Sequence, residues 1–198
     1  MKARAAGHDS GRHGAPSVRR GVWRIGGPAA ALILLLAGAL WAAGSPGDPF
    51  PQLKGRDLTS ARVTTALFRG KAWLVIVGFE RSHLEQMELW AKNFRAAFPD
   101  QSRADSYEIA AMPGSLSFMR GFIDGKMRKG APEGTRDRIT TVYAADAVSR
   151  VLGIRNRKEV HVFLVDPAGN IAQREAGAPA PEVFARIQAV TSRLLAAP

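Results

Sequence analysis

The chain contains no cysteine. That absence removes disulfides, thiolate nucleophiles, Cys-x-x-Cys redox pairs, zinc fingers and Cys-ligated iron–sulfur clusters. No Ser-His-Asp set, phosphate-binding glycine loop or His-Glu-x-x-His motif stands out either. The only adjacent glycines, Gly26 and Gly27, lie inside an apolar leader and not between a strand and a helix. Internal repeats are missing, so solenoids and propellers are excluded. Acidic residues are the scarcer charge: 17 against 28 basic in 198 residues, for a net charge of +11. With 46% hydrophobic residues the chain is too apolar to be disordered throughout. One domain of roughly 150 residues would bury a sizeable core.

What is present begins with a leader. Residues 1–24 are polar and basic, with Lys2, Arg4, Arg12, Arg19, Arg20 and Arg24 against a single acid, Asp9. Residues 25–44 carry no charge and are rich in Ala and Leu. A basic n-region before an apolar stretch is an export signal. Two readings stand: a retained transmembrane anchor, since about 20 apolar residues span a bilayer, or a cleaved signal with Ala37-Gly38-Ala39 as its processing site. Either way the arginines stay in the cytoplasm and the rest is exported, to the outer side of a bacterial inner membrane. Residues 45–52, rich in Pro and Gly, read as a linker, and 53–198 as the domain.

Within that domain strands and helices alternate. A weak hairpin is expected over Leu53–Leu58 and Val63–Phe68. The run Ala72–Phe79 is continuously apolar, as in a central strand covered on both faces. Ser82 to Phe98 reads as a helix opened by a Ser82/Glu85 capping box, with Leu84, Met87, Ala91, Phe94 and Phe98 on one face. Ser106–Ala111 is a strand. Leu116, Met119, Ile123 and Met127 form the stripe of a second helix, Ile139–Ala144 is a strand, and Asp146–Leu152 a short helix. Val160–Val165 and Ile171–Glu175 are strands joined by the tight turn Asp166-Pro-Ala-Gly169. Pro181 opens a last helix. This order implies an α/β sheet with helices on its faces.

Several stretches resemble the thioredoxin-like fold in its redoxin form. They are the strand-to-helix junction Leu74–Met87, the strand Glu159–Asp166 and the hairpin turn after it. In redox members that junction carries the catalytic cysteines; here Ser82 and Gln86, or Leu84 and Met87, take those places. Val160 stands where active thioredoxins have a cis-proline. A Cys-less branch is the better match. The chain is similar to the mitochondrial ATP synthase assembly factors that act on the membrane sector. The similarity rests on Phe50-Pro51 with Leu53-x-Gly55-x-x-Leu58, and on Gln86-x-x-x-Trp90-x-x-x-Phe94. It extends to Met127-Arg128, Arg136, Arg138, Phe163-Leu164-Val165-Asp166-x-x-Gly169-x-Ile171 and Gly177. The family's usual Arg-Trp pair after that isoleucine is replaced by Ala172-Gln173. The resemblance implies a non-catalytic protein that binds subunits of a membrane complex as an assembly factor or chaperone.

The candidate partner-binding residues are Arg81, Gln86 and Trp90, at the end of the central strand where open α/β sheets bind ligands, together with Arg128, Arg136 and Arg138. Residues 120–158 hold ten basic and four acidic residues. They read as a solvated face or as a patch for anionic lipid or an acidic protein segment, not for nucleic acid. His161, on a core strand, is expected to be packed or hydrogen-bonded, and His83 exposed. No cofactor, metal or catalytic residue is expected. The competing readings are a reductase homologue working without its own cysteine and an anion- or lipid-binding module.

Overall fold

The computed structural model describes residues 44–196. The basic leader and the apolar segment, apart from Gly44, lie outside the described residues. Among the described residues no helix is long and apolar enough to cross a membrane.

Seven strands form one mixed sheet: β1 (Gly55–Asp57), β2 (Arg62–Val63), β3 (Ala72–Gly78), β4 (Ala104–Ala111), β5 (Ile139–Val142), β6 (His161–Val165) and β7 (Ile171–Ala176). Their order is β2-β1-β5-β4-β3-β6-β7. The centre, β3-β4-β5, is parallel, and both flanks are antiparallel. Among the described residues four α-helices follow in chain order: α1 (Leu84–Ala97), α2 (Arg120–Gly130), α3 (Ala145–Val151) and α4 (Pro181–Ala196).

Every residue of β3 is buried. Because side chains alternate along a strand, this one segment feeds two cores. Trp73, Val75 and Val77 enter a core with Phe50, Phe68, Tyr107, Val148 and Phe163. There Phe68 packs edge-on against Phe50, Trp73 and Tyr107, with ring centroids 5.1, 5.8 and 5.3 Å away. Leu74 and Ile76 enter the opposite core with Met87, Trp90 and Phe94 of α1 and Ile187 of α4. Fully burying a large apolar side chain is worth about 1.5–3 kcal/mol, so the sheet is held from both faces. Residues 45–52, expected as a linker, dock on the sheet's end: Gly47 N–H donates to Ile171 O at 2.7 Å, Phe50 N–H to Gly169 O at 2.9 Å, and Phe50 is buried.

Strand β4 is also buried throughout, although it carries Asp105, Ser106 and Glu108. Asp105 accepts ion pairs from Lys71 at 3.3 Å and Arg138 at 3.1 Å. Arg95 of α1 donates to Ser106 Oγ at 2.8 Å and lies 3.6 Å from Glu108. The buried Asp105 charge is tolerated here because two cations partner it.

Three local expectations are corrected. The chain first makes a 3-10 turn, Arg81–His83, and α1 starts only at Leu84. No side chain caps that helix; Ser82 Oγ instead donates to Glu80 Oε2 at 3.3 Å. The turn shifts the helical phase, so the box residues are not at N-cap and N3. The stretch after Pro113 divides into a 3-10 segment, Gly114–Met119, and α2, and neither has a buried residue. Its apolar stripe is therefore only partly covered: Leu116, Ile123 and Met127 are half-buried and Met119 is exposed. Between Met127 and Ile139, where the sequence suggests neither helix nor strand, the chain forms a 3-10 segment, Glu133–Arg138.

Candidate functional site

At the C-terminal end of β3 the chain leaves the sheet through Phe79, turns at Arg81–His83 and enters α1. Gly78 makes this geometry possible. A Cβ placed there would lie 2.3 Å from Met87 Sδ and 3.1 Å from His83 Cβ. Without a Cβ there, Met87 and His83 close over the strand end; an added methyl group would require the Met87 side chain to shift.

His83 is 4% exposed, against the expectation that it faces solvent. The 3-10 turn carries it inward, where its Nδ1 accepts the Phe79 N–H at 3.2 Å. That bond leaves Nε2 as the nitrogen bearing hydrogen, and this buried Nε2 has no partner among the described residues. His161 pairs across the sheet with Val77 and is 5% exposed. Its Nε2 lies 2.6 Å from Asn156 O, a carbonyl that can only accept, so Nδ1 keeps a free lone pair. That Nδ1 is also buried without a partner. Burial is the main force lowering the His161 pKa; Arg174 and His83 push the same way, and the bond to Asn156 O opposes them. The strand end therefore holds a neutral His161 acceptor and, near it, the His83 donor. The reading of His161 as a buried, hydrogen-bonded residue agrees with this placement.

Around the pair, Arg81 is exposed and Gln86 half-buried on the first turns. Arg157 closes one side: it pairs with Asp146 at 2.6 Å, donates to Ser149 Oγ at 2.7 Å and lies 5.8 Å from the Phe79 ring centroid. Trp90 does not belong to an accessible surface. It is fully buried, tilted against Phe184 with centroids 5.9 Å apart, and its Nε1 donates to Gly177 O at 2.9 Å. Gly177, at φ 90°, also donates its N–H to Val160 O at 2.8 Å. Trp90, Val160 and Gly177 thus form one structural joint beneath the site.

The other three candidates lie elsewhere and are held by local contacts. Arg128 donates to Leu58 O at 2.6 Å, Arg136 to Ala131 O and Glu133 at 3.3 Å, and Arg138 pairs with Asp105. Within the basic stretch 120–158, Arg128, Arg136, Arg138 and Arg157 are thus engaged by loop carbonyls, a hydroxyl or carboxylates. Among the described residues no cluster of three or more His, Asp or Glu could hold a metal ion.

No known protein family's profile matches this chain, and no curated protein matches it in sequence. Solved structures do. The thioredoxin domain of a thiol-disulfide oxidoreductase from Bacteroides vulgatus is 20% identical over 74% of this chain and 98% of that one, with a TM-score of 0.52. A DsbE-type thiol:disulfide interchange protein from Chlorobium tepidum is 14% identical over 76% and 98%, with a TM-score of 0.53. BsSco, of the Sco family of cytochrome c oxidase assembly proteins, is 12% identical over 73% and 94%, with a TM-score of 0.50. The fold is thioredoxin-like. On this thioredoxin-like frame the Arg81–His83 turn and the start of α1 form the strand-to-helix junction, and neither that junction nor any other part of the chain has a thiol.

Sequence reasoning missed His83 because the helix was assumed to begin at Ser82, which points residue 83 outward. The one signal available was Gly78, a glycine closing an otherwise bulky apolar run, which marks a close approach.

Proposed function

We propose that this protein is a non-catalytic, membrane-tethered thioredoxin-like protein that binds another protein, as an assembly factor or chaperone for a membrane complex. The observation that carries the reading is the junction after β3. Where redox members have thiols, this chain has Ser82 and Gln86, or Leu84 and Met87, beside two buried histidines that are paired with backbone groups rather than with a nucleophile. A site without a thiolate has no group to attack a disulfide or peroxide. What it offers at its surface instead are the exposed Arg81 cation and the half-buried Gln86 amide, while the unpartnered histidine nitrogens are buried. A peptide unit carries the complementary acceptor and donor.

The tether is the apolar stretch 25–44, which places the domain on the exported side of a bacterial inner membrane. The complex suggested by the sequence resemblance is the membrane sector of ATP synthase. That BsSco belongs to a family of oxidase assembly proteins makes an assembly role compatible with this fold. The test is affinity capture of the intact protein from detergent-solubilised membranes. Recovery of ATP synthase membrane subunits supports the specific reading; recovery of other membrane-complex subunits redirects it; recovery of none overturns it. Turnover in an insulin- or peroxide-reduction assay would instead establish a reductase that works without its own cysteine.

A further inference from the structure

A cavity of about 330 Å³ opens between the β1–β2 hairpin, β5 and the start of α2. Four cations line it: Lys54, Arg56 and Arg62 from the hairpin region and Arg120 from α2. None of the four is in an ion pair among the described residues. The only carboxylate in the lining, Asp124, is already engaged: it accepts Thr141 Oγ1 at 2.7 Å and Tyr143 OH at 2.9 Å. Burial, then the Asp124 carboxylate, push the Tyr143 pKa up, so the phenol keeps its proton and the Tyr143–Asp124 bond persists at neutral pH. Two of the arginines are oriented in advance. Arg120 lies over the Tyr143 ring, 4.8 Å from its centroid, and Arg56 Nη1 donates to Ser60 O at 3.1 Å. The cavity thus gathers four positive charges around one committed negative charge, from chain segments more than fifty residues apart.

We infer that this cavity is a binding site for a phosphate group. Three guanidinium forks around one cleft match a tetrahedral dianion, which they can bind through paired, charge-assisted hydrogen bonds. The volume is at the low end of small-molecule sites, which leaves room for a phosphate carrying a small substituent. Two sources share this chemistry: a soluble phosphomonoester and a phospholipid headgroup. The lipid source is compatible with the surface near the cavity, because Phe118 is 82% and Phe122 59% exposed on the lead-in and first turn of α2, as in interfacial segments.

The test is calorimetric titration of the detergent-solubilised full chain at physiological ionic strength. The probes are inorganic phosphate, glycerol 3-phosphate and water-soluble dihexanoyl phosphatidic acid. Saturable binding is expected, weakened at least about tenfold in Arg56→Ala/Arg62→Ala and unchanged in Arg155→Ala/Lys158→Ala, which alters charge elsewhere. Tightest binding of glycerol 3-phosphate identifies the soluble source, and tightest binding of the phosphatidic acid the lipid source. Should the alanine pair fail to fold, Arg56→Gln/Arg62→Gln removes the charge at nearly constant volume. No saturable binding of any probe, or binding undiminished in a folded double variant, overturns the assignment.

Discussion

Two single residues show how local chemistry shapes this site and its support. Gly78 is required by contact rather than by backbone angle. A methyl group there meets Met87 Sδ and crowds His83, so Gly78→Ala is expected to cost about 1–3 kcal/mol, the usual penalty of overpacking a filled core. Urea denaturation measures it, and an unchanged midpoint would mean Met87 and His83 move aside freely. Glu108 gives the domain a pH dependence. Burial pushes its pKa from 4.5 up to about 7, against the pull of Arg95 and with some help from Glu88. In the unfolded chain the same carboxyl releases its proton near 4.5. Between these values the folded state binds more protons, so stability from this group falls as pH rises from about 4.5 to about 7 and is flat above. The full effect is up to about 3 kcal/mol. Glu108→Gln removes that slope; denaturation midpoints of wild type and variant at pH 5 and pH 8 isolate it, because the other carboxylates cancel in the difference.

At the scale of elements, the sequence was most legible where apolar periodicity was long. The unbroken run of β3 announced a strand covered on both faces, and the spacing of Met87, Ala91 and Phe94 announced the buried face of α1. The hairpin turn at Asp166–Gly169 was legible from its Pro and Gly, and Gly169 does adopt φ 94°. Legibility failed where short-range geometry overrides pattern. The 3-10 turn before α1 turned an expected surface histidine into a buried one. The stripe over residues 116–127 suggested a packed helix, but Leu116, Ile123 and Met127 are only half-buried and Met119 is exposed. Buried polar groups on β4 were also unreadable, because their partners come from distant elements. Asp105 is the main example: it ties the start of β3, through Lys71, to the residue before β5, Arg138. Asp105→Ala leaves the partly buried Arg138 without its carboxylate and Lys71 with only Gln101 O and the Trp73 ring, so a loss of about 1–3 kcal/mol is expected, read as a lowered denaturation midpoint. A loss within experimental error would show that these cations re-solvate without cost.

For the whole molecule, the net charge of +11 divides into a basic leader and a domain in which several cations have specific partners. Arg136, Arg138 and Arg157 neutralise carboxylates, and Arg128 holds the carbonyl of Leu58. Lys54, Arg56, Arg62 and Arg120 gather at the cavity beside β1, which no stretch of sequence could display because its residues converge only in the fold. The missing cysteine matters most at this scale. On a thioredoxin-like frame it leaves the junction after β3 without a thiol, and under the proposed function that junction is the binding surface. Trp90, for all its place in the sequence pattern, supports that surface from below through Gly177.

The most direct measurement is quantitative capture of membrane-complex subunits by the intact wild-type chain and by Arg81→Ala/Gln86→Ala. Both residues lie on the first turns after β3, and neither belongs to the fully buried core, so the variant should fold as the wild type does, which its melting curve verifies. The expected result is partner recovery by the wild type and a several-fold loss by the variant. Equal recovery by both proteins, or no partner for either, would contradict a protein-binding role for this site.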